Sequence, residues 1–180
     1  MSNIKDITSF APKGTDEFLF DTNIWFFLHG PIGNYSKPKQ TTYSAFYQQI
    51  IIRKLPIWIT TLVLSEFCNR WLRIEFEVWK QPQANSKLDF KRDFVGTESY
   101  KETVKDIIAA VNTILKSTSR NTDDFNAVDL NNILTNFSAI DFNDSYLIEL
   151  SRKKGWKIVT DDKDFSRAAT HGVEIVTANI

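Results

Sequence analysis

Four short apolar runs constrain this chain more than anything else in it: EFLFD at 17–21, IWIT at 57–60, WKIVT at 156–160 and VEIVT at 173–177. Each is compact and bounded, as expected of strands covered on both faces. Helical spacing fills the intervals. TTYSAFYQQIIIRK is expected to be helical from Thr41 or Thr42, and Pro56 ends that pattern. TLVLSEFCNRWLRIEFEVW reads as one long helix through Leu62, Phe67, Trp71 and Ile74. VKDIIAAVNTILK places Val104, Ile107, Ile108, Val111 and Leu115 on one helical face. Asp141 and Gly155 suit the N-cap and C-cap of a further helix, and a short helix separates the last two strands. Strands alternating with helices predict an α/β fold, a parallel sheet sandwiched between helical layers.

A length of 180 residues argues for one domain with a sizeable core. Residues 1–16 are polar and are expected to form a loose arm. Residues 17–180 are expected to form the domain, with a polar or helical insertion near 80–105. Lys plus Arg and Asp plus Glu number 22 each, so nothing global steers the chain toward nucleic acid. The local basic candidates are RKK at 152–154 and KLDFKR at 87–92, which also read as ordinary solvated faces. Trp25 and the Trp71–Trp79 stretch could stack on bases, but core or a dimer surface suits them better. Cys68, the only cysteine, rules out an internal disulfide, fits a reducing compartment and reads as core. No apolar run reaches signal-peptide or membrane-span length, so the expected location is cytoplasmic, away from membrane.

The chemistry is suggested by FLFDTNIWFF at 18–27, where Asp21, Thr22 and Asn23 interrupt an otherwise apolar run. A buried carboxylate costs several kcal/mol unless it is paired or coordinated. Asp161 and Asp162 follow the strand that ends at Thr160, and Asp144 lies in the first turn of the helix begun near Asp141. Taken singly, each Asp reads as a cap or turn residue. In a parallel sheet, however, the C-terminal strand ends share one edge, where such sheets bind ligands. Carboxylates gathered there repel one another unless a cation neutralises them. An all-oxygen set suits Mg²⁺ or Mn²⁺. Zinc does not fit, because His29 and His171 are not spaced as ligands. An EF-hand beginning at Asp162 fails, with Arg167 where glycine is needed and Val173 where glutamate is needed.

FLFDTNIW, LVLSEFCNR and IDFNDSYLIELSRKKGWKIVTDDKDF together resemble, in order and context, the PIN domain, the nuclease family that includes VapC-type toxins of toxin–antitoxin pairs. The resemblance implies a Rossmann-like three-layer fold and makes Asp21, Glu66, Asp144 and Asp162 the four acidic catalytic and metal-holding residues. Asp164 competes with Asp162 for the last place. Thr22, Asn23 and Thr160 match positions that hold the ligands. Glu66 owes its assignment to the resemblance alone, since a glutamate on an amphipathic helix ordinarily faces solvent. The implied activity is Mg²⁺- or Mn²⁺-dependent hydrolysis of RNA, leaving 5′-phosphate and 3′-hydroxyl ends. RNA, a small antitoxin protein and a second copy of the chain are the partners in view. Two rivals stand beside it. One is a non-catalytic PIN-like binding module, which predicts gaps among the four acids. The other is a phosphohydrolase with an Asp nucleophile, which wants a second Asp where Asn23 stands.

Overall fold

The computed structural model describes residues 3–31, 37–83, 87–168 and 172–179. The described strands are β1 (Ile4–Asp6), β2 (Phe18–Phe20), β3 (Ile57–Ile59), β4 (Ser119–Arg120), β5 (Lys157–Val159) and β6 (Ile175–Thr177). The helices are α1 (Thr22–His29), α2 (Lys37–Ile52), α3 (Thr61–Lys80), α4 (Glu98–Ser117), α5 (Leu130–Asn136) and α6 (Phe142–Lys154). One sheet runs in the order β1-β6-β5-β2-β3-β4, and every pairing is parallel. The expected parallel α/β architecture is therefore present.

The topology decides where the first acidic residue stands. β2 lies between β5 and β3, and its three residues are fully buried. Phe18 meets Phe46 and Phe10 edge-on at 5.8 and 6.4 Å. The chain then turns at Asp21 straight into α1, whose Ile24, Trp25, Phe26 and Phe27 are all buried. A helix buried on every side loses the polar stripe that makes helices legible, so this run reads by composition as strand. Trp25 is core, not a stacking platform, and its Nε1 donates to the Phe20 carbonyl at 3.1 Å.

The stretch expected to be a loose arm contains a strand. Ile4–Asp6 pair with β6 as an edge strand, and Ile7 is buried with its N–H on the Thr177 carbonyl at 2.9 Å. Without this strand β6 would present an open edge of unpaired backbone groups. Helix α2 begins at Lys37, ahead of the expected Thr41 or Thr42. Pro38 is tolerated in a first turn, and the two threonine hydroxyls bond back to the Lys37 and Pro38 carbonyls at 3.0 Å each. In α4 the inward stripe runs through Thr103, Ile107 and Ile114, while Ile108 is exposed.

The described part of the 80–105 stretch spans the end of α3 and the start of α4, two helices that pack against each other. Phe90–Phe94 forms a π-helical turn, and Phe94 is fully buried among Phe76, Trp79 and Tyr100 at 5.3–5.6 Å. Cys68 is half-buried and packs against the main core.

Away from the strand ends that matter for chemistry, Glu17 Oε2 accepts from Trp58 Nε1 at 2.7 Å and Trp156 Nε1 at 3.1 Å. The two indoles stack with centroids 5.4 Å apart. Glu17→Ala removes the acceptor of both and is expected to cost about 2 kcal/mol. A thermal melt followed by tryptophan fluorescence measures this, and an unchanged midpoint would contradict the clamp.

Candidate active site

Asp21 directly follows β2 and caps α1, so its carboxylate is held by the backbone geometry of both. Its Oδ1 accepts from Thr22 N–H at 2.6 Å. Its Oδ2 accepts from Asn23 Nδ2 at 2.5 Å and from the Thr160 hydroxyl at 2.7 Å. Thr160 Oγ1 in turn accepts from Asn23 Nδ2 at 3.1 Å and from Asp162 N–H at 3.0 Å. Asn23 Oδ1 accepts from Asp161 N–H at 3.1 Å. Thr22, Asn23 and Thr160 thus join the ends of β2 and β5 around one carboxylate. Among the described residues, no cation stands within ion-pair distance of Asp21, which is 5% exposed.

The other acids come from separate elements. Glu66 lies one turn into α3, which Thr60 caps by accepting from Val63 N–H at 3.3 Å. Asp144 lies in the first turn of α6, where its N–H donates to the capping Asp141 carboxylate at 2.9 Å. Asp162 follows β5, is exposed, and accepts from Asp164 N–H at 2.8 Å.

Electrostatics ties these positions together. Burial, then the charges of Glu66 and Asp162, push the Asp21 carboxyl up to about 7 against its hydrogen bonds. Burial, then Asp21, Asp141, Asp162 and Glu66, push Asp144 up to about 8. Glu66 is raised chiefly by burial, with Asp141 and Asp162 adding to it and Arg70 opposing. The Thr22 hydroxyl lies near enough to Glu66 to offset part of that rise, yet short of a hydrogen bond of regular geometry. The charges bearing on the three include Asp162 and not Asp164, which pairs with Arg167 at 3.0 Å.

A metal-free protein should register this repulsion. In the unfolded chain these carboxyls ionise near their ordinary values, about 4. The folded state holds its protons up to about 7 at Asp21 and about 8 at Asp144. Folded protein therefore binds more protons between about pH 4 and 8, and stability falls as pH rises through that window, by up to about 1.4 kcal/mol per pH unit for each group. Carboxyls shifted the other way, such as Glu149 beside Arg152, add their stability above the ordinary carboxylate value and lose it only in stronger acid. Thermal midpoints in chelator should decline from pH 5 to pH 8, and a flat profile would contradict the cluster.

Hollows of ≈ 410 and ≈ 310 Å³ flank the acids, one lined by Asn23, Asp161 and Asp162, the other by Glu66, Asn69 and Asn143, with Arg70 lining both. Lys39 pairs with Asp161 at 2.7 Å beside the first. Tyr43 braces the same turn through Asp161 Oδ1 at 2.9 Å and Ala178 N–H at 3.0 Å. Sequence reading missed Arg70, Lys39 and Tyr43. Only Arg70 left a signal, one helical turn from Glu66.

The expected basic tracts lie elsewhere. Residues 152–154 end α6, roughly 12–15 Å along the helix from Asp144. Arg152 binds Glu149, Lys154 pairs with Asp124, and Lys153 donates to the Ala127 carbonyl. In the 87–92 tract, between α3 and α4, Arg92 pairs with Asp93 at 2.7 Å. His29 ends α1, stacked 6.1 Å from Trp25, while His171 lies outside the described residues.

The family model described as PIN domain matches residues 18–170. The chain belongs to the PIN domain family. PIN domains are in the main nucleases that use divalent cations, so the acidic edge sits in a nuclease family. One chain of the crystal structure of VapBC2 from Rickettsia felis, bound to a DNA fragment from their promoter, is similar at 12% identity with a TM-score of 0.50. The likeness covers 89% of this PIN domain chain and 97% of that one, and at such identity it bears on the fold. No curated protein matches the chain.

The residues present can be tested against a divalent cation. Among the described residues no three His, Cys, Asp or Glu groups converge tightly enough to cage one ion. Mg²⁺ requires less, because it keeps several waters and is usually held by one or two carboxylates. The all-oxygen donors fit that ion, and so does the buried Thr22 Oγ1, which lacks a hydrogen-bond partner. No described helix is long and apolar enough to cross a membrane.

Proposed function

We propose that this PIN domain is a metal-dependent endoribonuclease, with Asp21, Glu66, Asp144 and Asp162 holding Mg²⁺ or Mn²⁺. One observation carries the reading: four carboxylates from four chain segments bear on one another electrostatically at one sheet edge, with no cation among the described residues paired to Asp21. A bound divalent ion would lower the pKa of a water and offset charge on the scissile phosphate. The chain's own part is placement. Asp21, fixed by Thr22, Asn23 and Thr160, is the rigid member. Glu66 and Asp144 bring charge from α3 and α6, and Asp162, after β5, is the exposed member. No side chain needs to act as a nucleophile.

The VapBC2 likeness favours a small antitoxin protein as partner, and the proposal extends to the toxin of such a pair, working in the cytoplasm. Exposed Leu134, Phe137 and Phe125 offer apolar surface that a partner or second copy would cover. One observation favours a second reading, a binding module that does not cut. Among the described residues, the acids do not form a ready-made ion cage. Mapping the product ends after incubation with RNA and Mn²⁺ separates the two. The nuclease gives 5′-phosphate and 3′-hydroxyl ends, whereas the binding module returns intact RNA.

A further inference from the structure

We infer that Arg70 is the residue that positions the substrate backbone on the acidic edge, gripping a phosphate beside the scissile one; this rests on the nuclease reading above. Glu66 and Arg70 stand one turn apart on α3 and share a helix face. Arg70 lines both hollows that flank the carboxylates, so a strand passing from one to the other crosses it. Its guanidinium lies 5.1 Å from the Phe26 ring centre. Phe26 is itself 1% exposed and wedged against Phe67 and Trp71, ring centres 4.9 and 6.5 Å away. The cation therefore rests on a fixed aromatic floor, which limits the side-chain freedom lost on binding.

Among the described residues Arg70 closes no ion pair within 4.0 Å, whereas Lys39, across the same hollow, is taken up by Asp161. Carboxylates along the edge repel a polyanion, and the other cations lining the hollows are Lys163 in the first and Arg73 in the second. A planar guanidinium set among these carboxylates offers two parallel N–H donors to one phosphate, its charge bearing on Glu66 without closing an ion pair with it. Arg73, one turn further along α3, extends the track over the Phe90 ring at 4.0 Å.

The test uses Asp21→Asn as a non-cutting background and a short, fluorescently labelled single-stranded RNA of mixed sequence as probe. Adding Arg70→Gln should weaken binding about tenfold and reduce the slope of affinity against salt by about one phosphate contact. Arg70→Lys should restore the salt slope while recovering the affinity only in part. In the otherwise wild-type enzyme Arg70→Gln should raise KM more than it lowers kcat. Arg70 is exposed, and equal thermal midpoints of parent and variant check that folding is intact. Equal RNA affinity and equal salt slope with and without Arg70 overturn the assignment, whatever the cleavage assay shows. Wild type that binds through Arg70 but never cuts overturns the nuclease reading and leaves the assignment standing.

Discussion

Asp21→Asn is expected to reduce RNA cleavage by more than about 100-fold while leaving the protein folded. Even residues that merely orient metal ligands cost about 10–100-fold when changed, and Asp21 is placed to be a ligand itself. The stability side follows from its contacts. Asparagine has one acceptor oxygen where the carboxylate uses two, so one of the bonds from Thr22, Asn23 or Thr160 is lost, at about 1 kcal/mol. Against that, the substitution removes a charge that burial, Glu66 and Asp162 all disfavour. In chelator at pH 8 the two effects should nearly cancel, leaving the midpoint within about 1 kcal/mol of wild type. A structural aspartate with a buried cationic partner would behave differently, because breaking such a pair costs about 3–5 kcal/mol. A variant that melts far below wild type yet cuts RNA normally would show that Asp21 is structural.

The sheet was legible because each of its main strands is a short apolar run, and a run buried on both faces needs no periodicity to be seen. The same property hid α1. IWFF is apolar all round since α1 is buried on every side, and nothing in it alternates. Strand β4 is two exposed residues, Ser119 and Arg120, and owes its existence to pairing with Trp58 and Ile59. Ile4–Asp6 likewise gain their structure from the open edge of β6. Of the candidate site, Asp21 stood out because its carboxylate interrupts a buried run, and Asp162 followed from the strand that ends beside it. Glu66 did not stand out, as helix spacing marks which residues share a face but not which face meets a distant Asp21. Arg70 was hidden for the same reason.

The second large effect concerns the cation. Four carboxylates at one edge cannot polarise a water or neutralise a phosphate by themselves, so the account requires a divalent ion for every turnover. The most direct measurement follows wild-type cleavage of a labelled RNA in excess EDTA and then after Mg²⁺ or Mn²⁺ is returned. The account predicts intact RNA in chelator and, on adding the ion, products with 5′-phosphate ends, restored in wild type but not in Asp21→Asn. Undiminished cutting in chelator, by protein shown free of metal, would contradict it.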